Sequence, residues 1–106
     1  MRQALVLINK VLAGTLTETD DMRYIFKYDD RYLLDSEHRP ISLAFPKRKE
    51  EFVSEELFPF FFNMLSEGVN KALQCVALKI DENDSFGLLM ATAIYDTIGA
   101  VTIKEI

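Results

Sequence analysis

The side chains best suited to nucleophilic chemistry in this sequence are one histidine and one cysteine, which lie far apart along the chain. Nucleophilic catalysis requires a nucleophile within hydrogen-bond reach of a base. His38 lies in the polar segment SEHRP, which is typical of a solvated loop. Cys75 lies in the apolar segment ALQCVALKI, where a buried thiol behaves as a small hydrophobic group. We therefore predict no catalytic pair from these two residues.

Carboxylates are the other candidates for chemistry, as metal ligands or as acid–base pairs. The cluster of Asp81, Glu82 and Asp84 lacks the glycine-containing twelve-residue spacing of a calcium loop. The aspartate pairs at 20–21 and 29–30 lie in segments typical of turns, where aspartate is common. The glycines are too widely spaced to form a phosphate-binding loop. We therefore expect no catalytic residue, no metal site and no cofactor, and we predict that this chain is not an enzyme.

The composition is that of one small globular domain, which we expect to span residues 1–106. The chain has 106 residues, of which 49% are hydrophobic and 27% charged, and its formal net charge is -5. A negative net charge argues against direct binding to nucleic acid, which favours basic surfaces. No apolar stretch approaches the roughly 20 residues of a membrane span. With a single cysteine and no membrane segment, a cytoplasmic protein is expected.

The first half of the chain predicts strands, and one further strand is expected at its end. Short apolar or alternating segments are separated by turn residues, which indicates an antiparallel meander. Asn9-Lys10 is a candidate two-residue turn, and Gly14 is a candidate bulge or close approach of two backbones. The predicted strands are 4–8, 11–17, 22–28, a short edge strand over 41–45, and a last strand over 100–103 that returns to the sheet.

The second half of the chain predicts three helices. Ser54 is a candidate N-cap for the first, which ends at Gly68. Pro59 would remove a backbone hydrogen bond inside that helix, so the helix is either kinked there or begins nearer Phe58. The second helix is expected over 70–80, and the third from Asp84 or Ser85 to about Tyr95. The predicted class is α+β, a small antiparallel sheet with about three helices packed on one side.

Half of the chain's phenylalanines fall in one segment, LFPFFFNMLSEG at 57–68. At about 100° per residue, its apolar arc is wider than a helix needs to cover a core. The surplus indicates either a helix enclosed within its own domain or an edge that contacts a partner. The predicted core face comprises Leu57, Phe58, Phe61, Phe62 and Leu65. The predicted exposed edge comprises Phe60 and Met64.

Six short segments, taken in order, resemble the N-terminal subdomain of the HipA family of toxin kinases, and the likeness covers nearly the whole chain. They are GTL at 14–16, YIFKYD at 24–29, PISL at 40–43, LFPFFFNMLSEG at 57–68, FGLL at 86–89 and DTIGAV at 96–101.

This resemblance implies a non-catalytic regulatory protein, because in the HipA family the catalytic residues lie in the kinase body that follows this subdomain. In split relatives a short chain of this kind resembles an antitoxin that binds and neutralises a HipA-like kinase lacking the subdomain. A DNA-binding antitoxin protein is a further member of the larger complex. The expected docking residues are Phe60, Met64, Ser66, Glu67, Gly68 and Val69.

Two other functions remain open at this point. The chain is either an excised N-terminal scaffold fragment of a full-length HipA-like kinase, or a small stand-alone domain that binds a protein or a ligand without any link to a kinase. The reading frame beyond Ile106 and the neighbouring genes distinguish these alternatives from an antitoxin.

Overall fold

The protein is an α+β domain in which helices pack on a five-stranded antiparallel sheet with the strand order β4-β3-β2-β1-β5. The computed structural model describes residues 1–65, 68–93 and 101–106. In chain order the elements are β1 (Arg2–Ile8), β2 (Val11–Glu18), β3 (Tyr24–Tyr28), α1 (Asp30–Leu34), β4 (Phe52–Ser54), α2 (Pro59–Phe62), α3 (Gly68–Leu78), α4 (Ser85–Thr92) and β5 (Val101–Glu105). The predicted fold class is confirmed, with four helices in the described residues where about three were expected.

The meander begins with the predicted tight turn between β1 and β2. Asn9 and Lys10 both have positive φ, at 50° and 68°. This is the conformation of a two-residue hairpin whose twist matches that of the strands it joins. β1 then lies between β2 and β5, because the C-terminal strand returns antiparallel to it and pairs Ile103 with Val6. The predicted returning strand is confirmed from Val101 onward.

Gly14 lies where the sheet has an irregular register and very little space. The pairing of β1 with β2 shifts between Val6 and Leu7, so that β2 contains one extra residue there. A Cβ atom added to Gly14 would lie 2.4 Å from the backbone oxygen of Lys27 and 2.9 Å from the ring of Phe26. The predicted close approach at Gly14 is therefore confirmed.

We predict that Gly14→Ala destabilises the protein, because neither the β3 backbone nor the packed ring of Phe26 can move away without distorting the sheet. The expected loss is about 1–3 kcal/mol of unfolding free energy, measured by urea denaturation. Thr15→Ala is the matched control, since Thr15 lies half-buried on the opposite face of the same strand. Equal losses in the two variants would contradict the clash.

Period-two alternation places the buried side chains of the strands on one face of the sheet. Tyr24, Phe26 and Tyr28 are all buried, as predicted for β3, whereas Ile25 between them is only half-buried. The prediction that Met22 belongs to this strand and this face is wrong. Met22 lies in the turn before β3 and is exposed, because its positive φ of 64° takes it out of extended conformation.

Between β3 and α2 one prediction is wrong and one helix was missed. The segment 41–45 is not an edge strand, since turns and bends replace it and the fourth strand is Phe52–Ser54 instead. Pro40 and Pro46 bound the segment, and the Tyr28 hydroxyl takes the place of a strand neighbour. It accepts a 3.1 Å hydrogen bond from the Ile41 amide and donates one to the Phe45 carbonyl. The short helix α1, capped by Asp29, was not predicted at all.

The phenylalanine helix begins near Phe58, which is the second of the two predicted alternatives. Phe58 is the N-cap of α2 and Pro59 is its first residue, a position that needs no backbone N–H donor. Ser54 is therefore not a helix cap, since it closes β4. Asp84 is the N-cap of α4, as predicted, and accepts a 3.1 Å bond from the Gly87 amide. No helix among the described residues has the length and apolar character required to cross a membrane.

Candidate protein-docking surface

The two candidate catalytic residues, His38 and Cys75, lie in different parts of the fold, where each packs against its neighbours. The His38 ring stacks on Tyr32 with 4.5 Å between ring centroids, and its Nε2 lies 3.6 Å from Oδ2 of Asp35. The cleft beside it, about 280 Å³, has no serine, threonine or cysteine among its described lining residues. Cys75 is buried in α3. Within residues 1–65, 68–93 and 101–106, neither residue is placed beside a partner that would activate a nucleophile.

The predicted acidic cluster forms a turn between α3 and α4. Oδ1 of Asp81 accepts a 2.7 Å bond from the Asn83 amide, and Asp84 caps α4. In the described ranges, no group of three or more histidine, cysteine or acidic side chains is arranged to hold a metal ion. These carboxylates therefore order a connection between helices.

A charged network ties the start of β1 to the start of α4. Arg2 donates to Glu18 through Nε at 2.9 Å and through Nη2 at 2.6 Å, and to both carboxylate oxygens of Asp84 at 3.1 and 2.7 Å. Tyr24 donates its hydroxyl to the second oxygen of Glu18 at 2.9 Å. Hydrogen bonding from Arg2 holds the pKa of Asp84 below its ordinary value. Burial, followed by the bond to Glu18, raises the pKa of Tyr24 to about 12.

An aromatic cluster fills the core between the sheet and the phenylalanine segment. Phe45 lies at its centre, where its ring is 4.9 to 6.1 Å from five others. Those neighbours come from β3, β4 and α2 and the residue before it: Phe26, Phe52, Phe58, Phe60 and Phe61. Most of the phenylalanine excess is therefore explained by the packing of this core.

The predicted docking edge is only partly at the surface. Phe60 is half-buried, with its ring 5.1 Å from that of Phe61 in an edge-on contact. The prediction that Met64 is exposed is wrong, since only 8% of it is accessible to solvent. The predicted core residue Phe62 is instead 45% exposed. Leu57, Phe61 and Leu65 are buried, as predicted, and Phe58 is partly buried.

The prediction for this edge assumed that the helix continues through Met64, but the helix ends before that residue. The helix α2 has only four residues and ends at Phe62, and the next residues form tighter turns, in which the Met64 and Leu65 amides bond to carbonyls three residues back at 3.1 and 3.0 Å. The about 100° per residue that placed Met64 beside Phe60 therefore no longer applies at Met64. Of the other predicted docking residues, Ser66 and Glu67 lie outside the described residues. Gly68 and Val69 are the first two residues of α3.

Helix α3 presents a larger apolar surface than the predicted edge. Among its side chains from Asn70 to Leu78, only Cys75 is buried. Leu73 is 63% exposed and Val76 is 78% exposed. Together with exposed Ala77 they lie within about 100° around the helix axis, on the side away from Cys75. We call Leu73, Val76 and Ala77 the α3 face.

The α3 face has the properties of a surface that another protein covers. A helix of a small domain ordinarily turns its apolar stripe to the core and its polar residues to water. Here large apolar side chains on one face are left in solvent, and clusters of this kind mark interaction sites. Lys71, the one charged residue within the helix, lies about 40° from Cys75 around the axis and so on the side away from this face. The arrangement suits binding to an apolar surface of another protein.

The α3 face was not predicted as a docking surface, although the sequence contained a signal for it. From Ala72 to Leu78 every residue except Gln74 is apolar, counting the cysteine. A helix that is apolar on nearly all sides needs cover on nearly all sides. The prediction of a buried Cys75 accounts for one side of the helix and leaves the opposite apolar side without cover.

Comparison with protein families gives one match that covers almost the whole chain. The profile of the HipA N-terminal domain matches residues 4–104. A solved structure described as the N-terminal domain of HipA toxin superposes with a TM-score of 0.74 at 29% identity. The superposition covers 100% of this chain and 93% of that one.

Two relatives at the sequence level differ in length. An uncharacterised protein of Haemophilus influenzae is 32% identical over 105 residues, which are 99% of this chain and 93% of the relative. A putative kinase, Y4mE, of Sinorhizobium fredii is 34% identical over 78 residues. These are 74% of this chain but only 19% of the kinase, so the shared segment is a minor part of that protein.

Proposed function

Since the chain belongs to the HipA N-terminal domain family, we propose that it is a non-catalytic regulatory protein of the cytoplasm that binds and restrains a HipA-type kinase. The kinase is one that lacks its own N-terminal subdomain, and this chain supplies the missing surface. It acts by contact and performs no chemistry itself. In its cellular setting it is the antitoxin of such a pair, with a DNA-binding protein as a third member.

The observation that carries this proposal is the exposed α3 face. In the Sinorhizobium fredii kinase the matching segment accounts for 19% of a much longer chain. A domain that is normally joined to a larger body has a surface for that body, and this surface is apolar when the contact is permanent. The α3 face, with Leu73 and Val76 in solvent, is such a surface in this chain. It follows Gly68 and Val69 directly, so the predicted docking residues lead into it.

We predict that Leu73→Asp and Val76→Asp each abolish binding to the kinase, because each buries a carboxylate in an apolar contact. The affinity should fall at least about thirtyfold, as expected for a central interface residue worth about 2 kcal/mol or more. The measurement is co-purification with a HipA-type kinase that lacks the N-terminal subdomain, together with growth of cells that express both. When binding is lost, the growth defect caused by the kinase should reappear.

Leu34→Asp is the matched control, because Leu34 is also an exposed leucine at a helix surface, at the end of α1. It should bind and restrain the kinase as the native chain does. Both α3 variants should remain folded, since neither side chain contributes to the core. If they bind and restrain the kinase unchanged, the α3 face is not the docking surface; if the native chain neither binds nor restrains it, the regulatory function itself is wrong.

A second function is favoured by the length of the Sinorhizobium fredii relative. In that protein the matching segment is part of a kinase chain, which is the arrangement expected of an internal scaffold. As a scaffold, the same α3 face would be covered within one polypeptide. A reading frame that continues past Ile106 into kinase motifs would decide for the scaffold, and a stop codon there for the separate regulatory chain.

A further inference from the structure

We propose that a cleft on another part of the surface, between Met22 and Phe62, is a second protein-docking site that accepts a positively charged segment bearing one long apolar side chain. The cleft has a volume of about 310 Å³ and shares no residue with the α3 face. Its walls are apolar and its rim is acidic, and both properties enter the argument.

Met22 is held out into solvent by a rigid turn. It is 61% exposed, and its backbone has a φ of 64°, a conformation that residues other than glycine rarely adopt. Three hydrogen bonds around Thr19 fix the turn: its amide to the Arg23 carbonyl at 2.8 Å, the Met22 amide to its carbonyl at 3.1 Å, and the Arg23 amide to its hydroxyl at 3.0 Å. Strain of this kind is a reason to ask what the residue binds.

Phe62 forms the opposite wall of the cleft. It is the last residue of α2 and is 45% exposed, although the aromatic cluster lies directly beneath that helix. Between the two walls, the lining includes Tyr24 and Leu57, both of which are buried. Methionine is flexible and polarisable and is common on surfaces that accept varied apolar partners. At the small end of ligand-pocket volumes, roughly 300–1,000 Å³, the cleft suits a single side chain.

The charges around the cleft select the sign of the partner. Glu55 and Glu56 lie among its lining residues, and the described lining contains no lysine, arginine or histidine. Asp20 and Asp21 precede Met22 in the chain, but both are paired, Asp20 with the N-terminal ammonium of Met1 and Asp21 with Arg23 at 3.5 Å. The acidic character of the cleft therefore rests on Glu55 and Glu56. Complementary charge steers association and excludes partners of the same sign. The occupant is therefore a lysine- or arginine-rich protein segment.

The test is binding of a fluorescent nine-residue peptide of lysine and arginine with one central leucine, at low salt. Replacing the central leucine by serine should weaken binding about tenfold, as expected for the loss of one buried apolar side chain. Phe62→Ser should weaken it by a similar factor, and the double variant Glu55→Gln, Glu56→Gln should lower both the affinity and its salt dependence. The same peptide with glutamate in place of the cations should not bind.

Met22→Gly separates binding from folding. Glycine adopts a positive φ without strain, so the melting temperature of this variant should equal or exceed that of the native chain. It should nevertheless bind the peptide about tenfold more weakly. Leu43→Ser, at an exposed leucine outside the cleft, is the control and should bind normally. The proposal is overturned if the leucine and serine peptides bind equally, if the acidic peptide binds as well as the basic one, or if Met22→Gly and Phe62→Ser bind like the native chain. None of these outcomes depends on a kinase partner.

Discussion

Replacing Phe45 by alanine is expected to lower the unfolding free energy by about 3–5 kcal/mol, the range measured when large aromatic side chains are removed from a packed core. Phe45 is 2% exposed and touches rings from β3, β4 and the start of α2. The cavity would open where these elements meet, so none of them can close it alone. For a domain whose total stability is about 5–15 kcal/mol, this is a large fraction of the total, and at the low end of that range a large share of the protein should be unfolded at 37 °C.

The comparison that isolates this effect is Leu43→Ala, two residues away in the same loop. Leu43 is fully exposed, at 102% of the reference accessibility, so its removal should change stability by no more than about 0.5 kcal/mol. Urea unfolding followed by circular dichroism measures both variants. Similar losses for the two would mean that the loop backbone, and not the Phe45 ring, carries the stabilisation.

Arg2→Met is the second change with a large expected effect, because it leaves the carboxylate of Glu18 buried without its cation. Breaking a fully buried pair costs about 3–5 kcal/mol. Here about 2 kcal/mol is expected, since the Arg2 side chain is 38% exposed and water screens part of the interaction. Arg23→Met, which removes an exposed 3.5 Å pair with Asp21, should cost less than about 0.5 kcal/mol.

The same network predicts how stability depends on pH. Asp84 has a lowered folded-state pKa, so its contribution is complete above the ordinary carboxyl value of about 4 and is lost as the pH falls through the folded value. The pKa of Tyr24 is raised to about 12, so its contribution is complete below about pH 10 and is lost as the pH rises toward 12.

A plateau of stability between about pH 4 and 10 is therefore expected from these two groups. In Arg2→Met the acid limb of the profile should flatten, because Arg2 is the main cause of the Asp84 shift. Tyr24→Phe should flatten the alkaline limb and leave the acid limb in place. An acid limb that is unchanged in Arg2→Met would show that other carboxylates set the acid sensitivity.

The central strands were predictable from the sequence because most of their side chains alternate with a period of two residues. Tyr24, Phe26 and Tyr28 were placed on the buried face by alternation alone, and Asn9-Lys10 and Gly14 marked the turn and the bulge. The segment 41–45 has the same apolar character as a strand. Its backbone groups instead find partners outside a ladder, from the Tyr28 hydroxyl of another element and from Ser42 within the segment.

The candidate docking surface was less predictable, because the edge first predicted depends on where one helix ends. Pro59 made a start near Phe58 one of two alternatives, but nothing local required α2 to end after Phe62. Because the prediction extended the helix by two residues to Met64, it placed Phe62 in the core and Met64 at the surface. The structure shows the reverse. The exposure of Leu73 and Val76 was not predictable from periodicity either. It depends on whether another element covers that side of α3, and no described element does.

The thin attachment of α3 has a consequence for motion. A helix held to its domain by Cys75 and little else among its described side chains can detach while the sheet stays intact, so its amides should exchange with solvent by local opening and not by global unfolding. The thiol is shielded only while α3 is docked. A protein seated on the α3 face would hold the helix down and so close off the thiol as well. The solvent accessibility of the Cys75 thiol, on the inner side of the helix, would then depend on whether a protein covers the outer side.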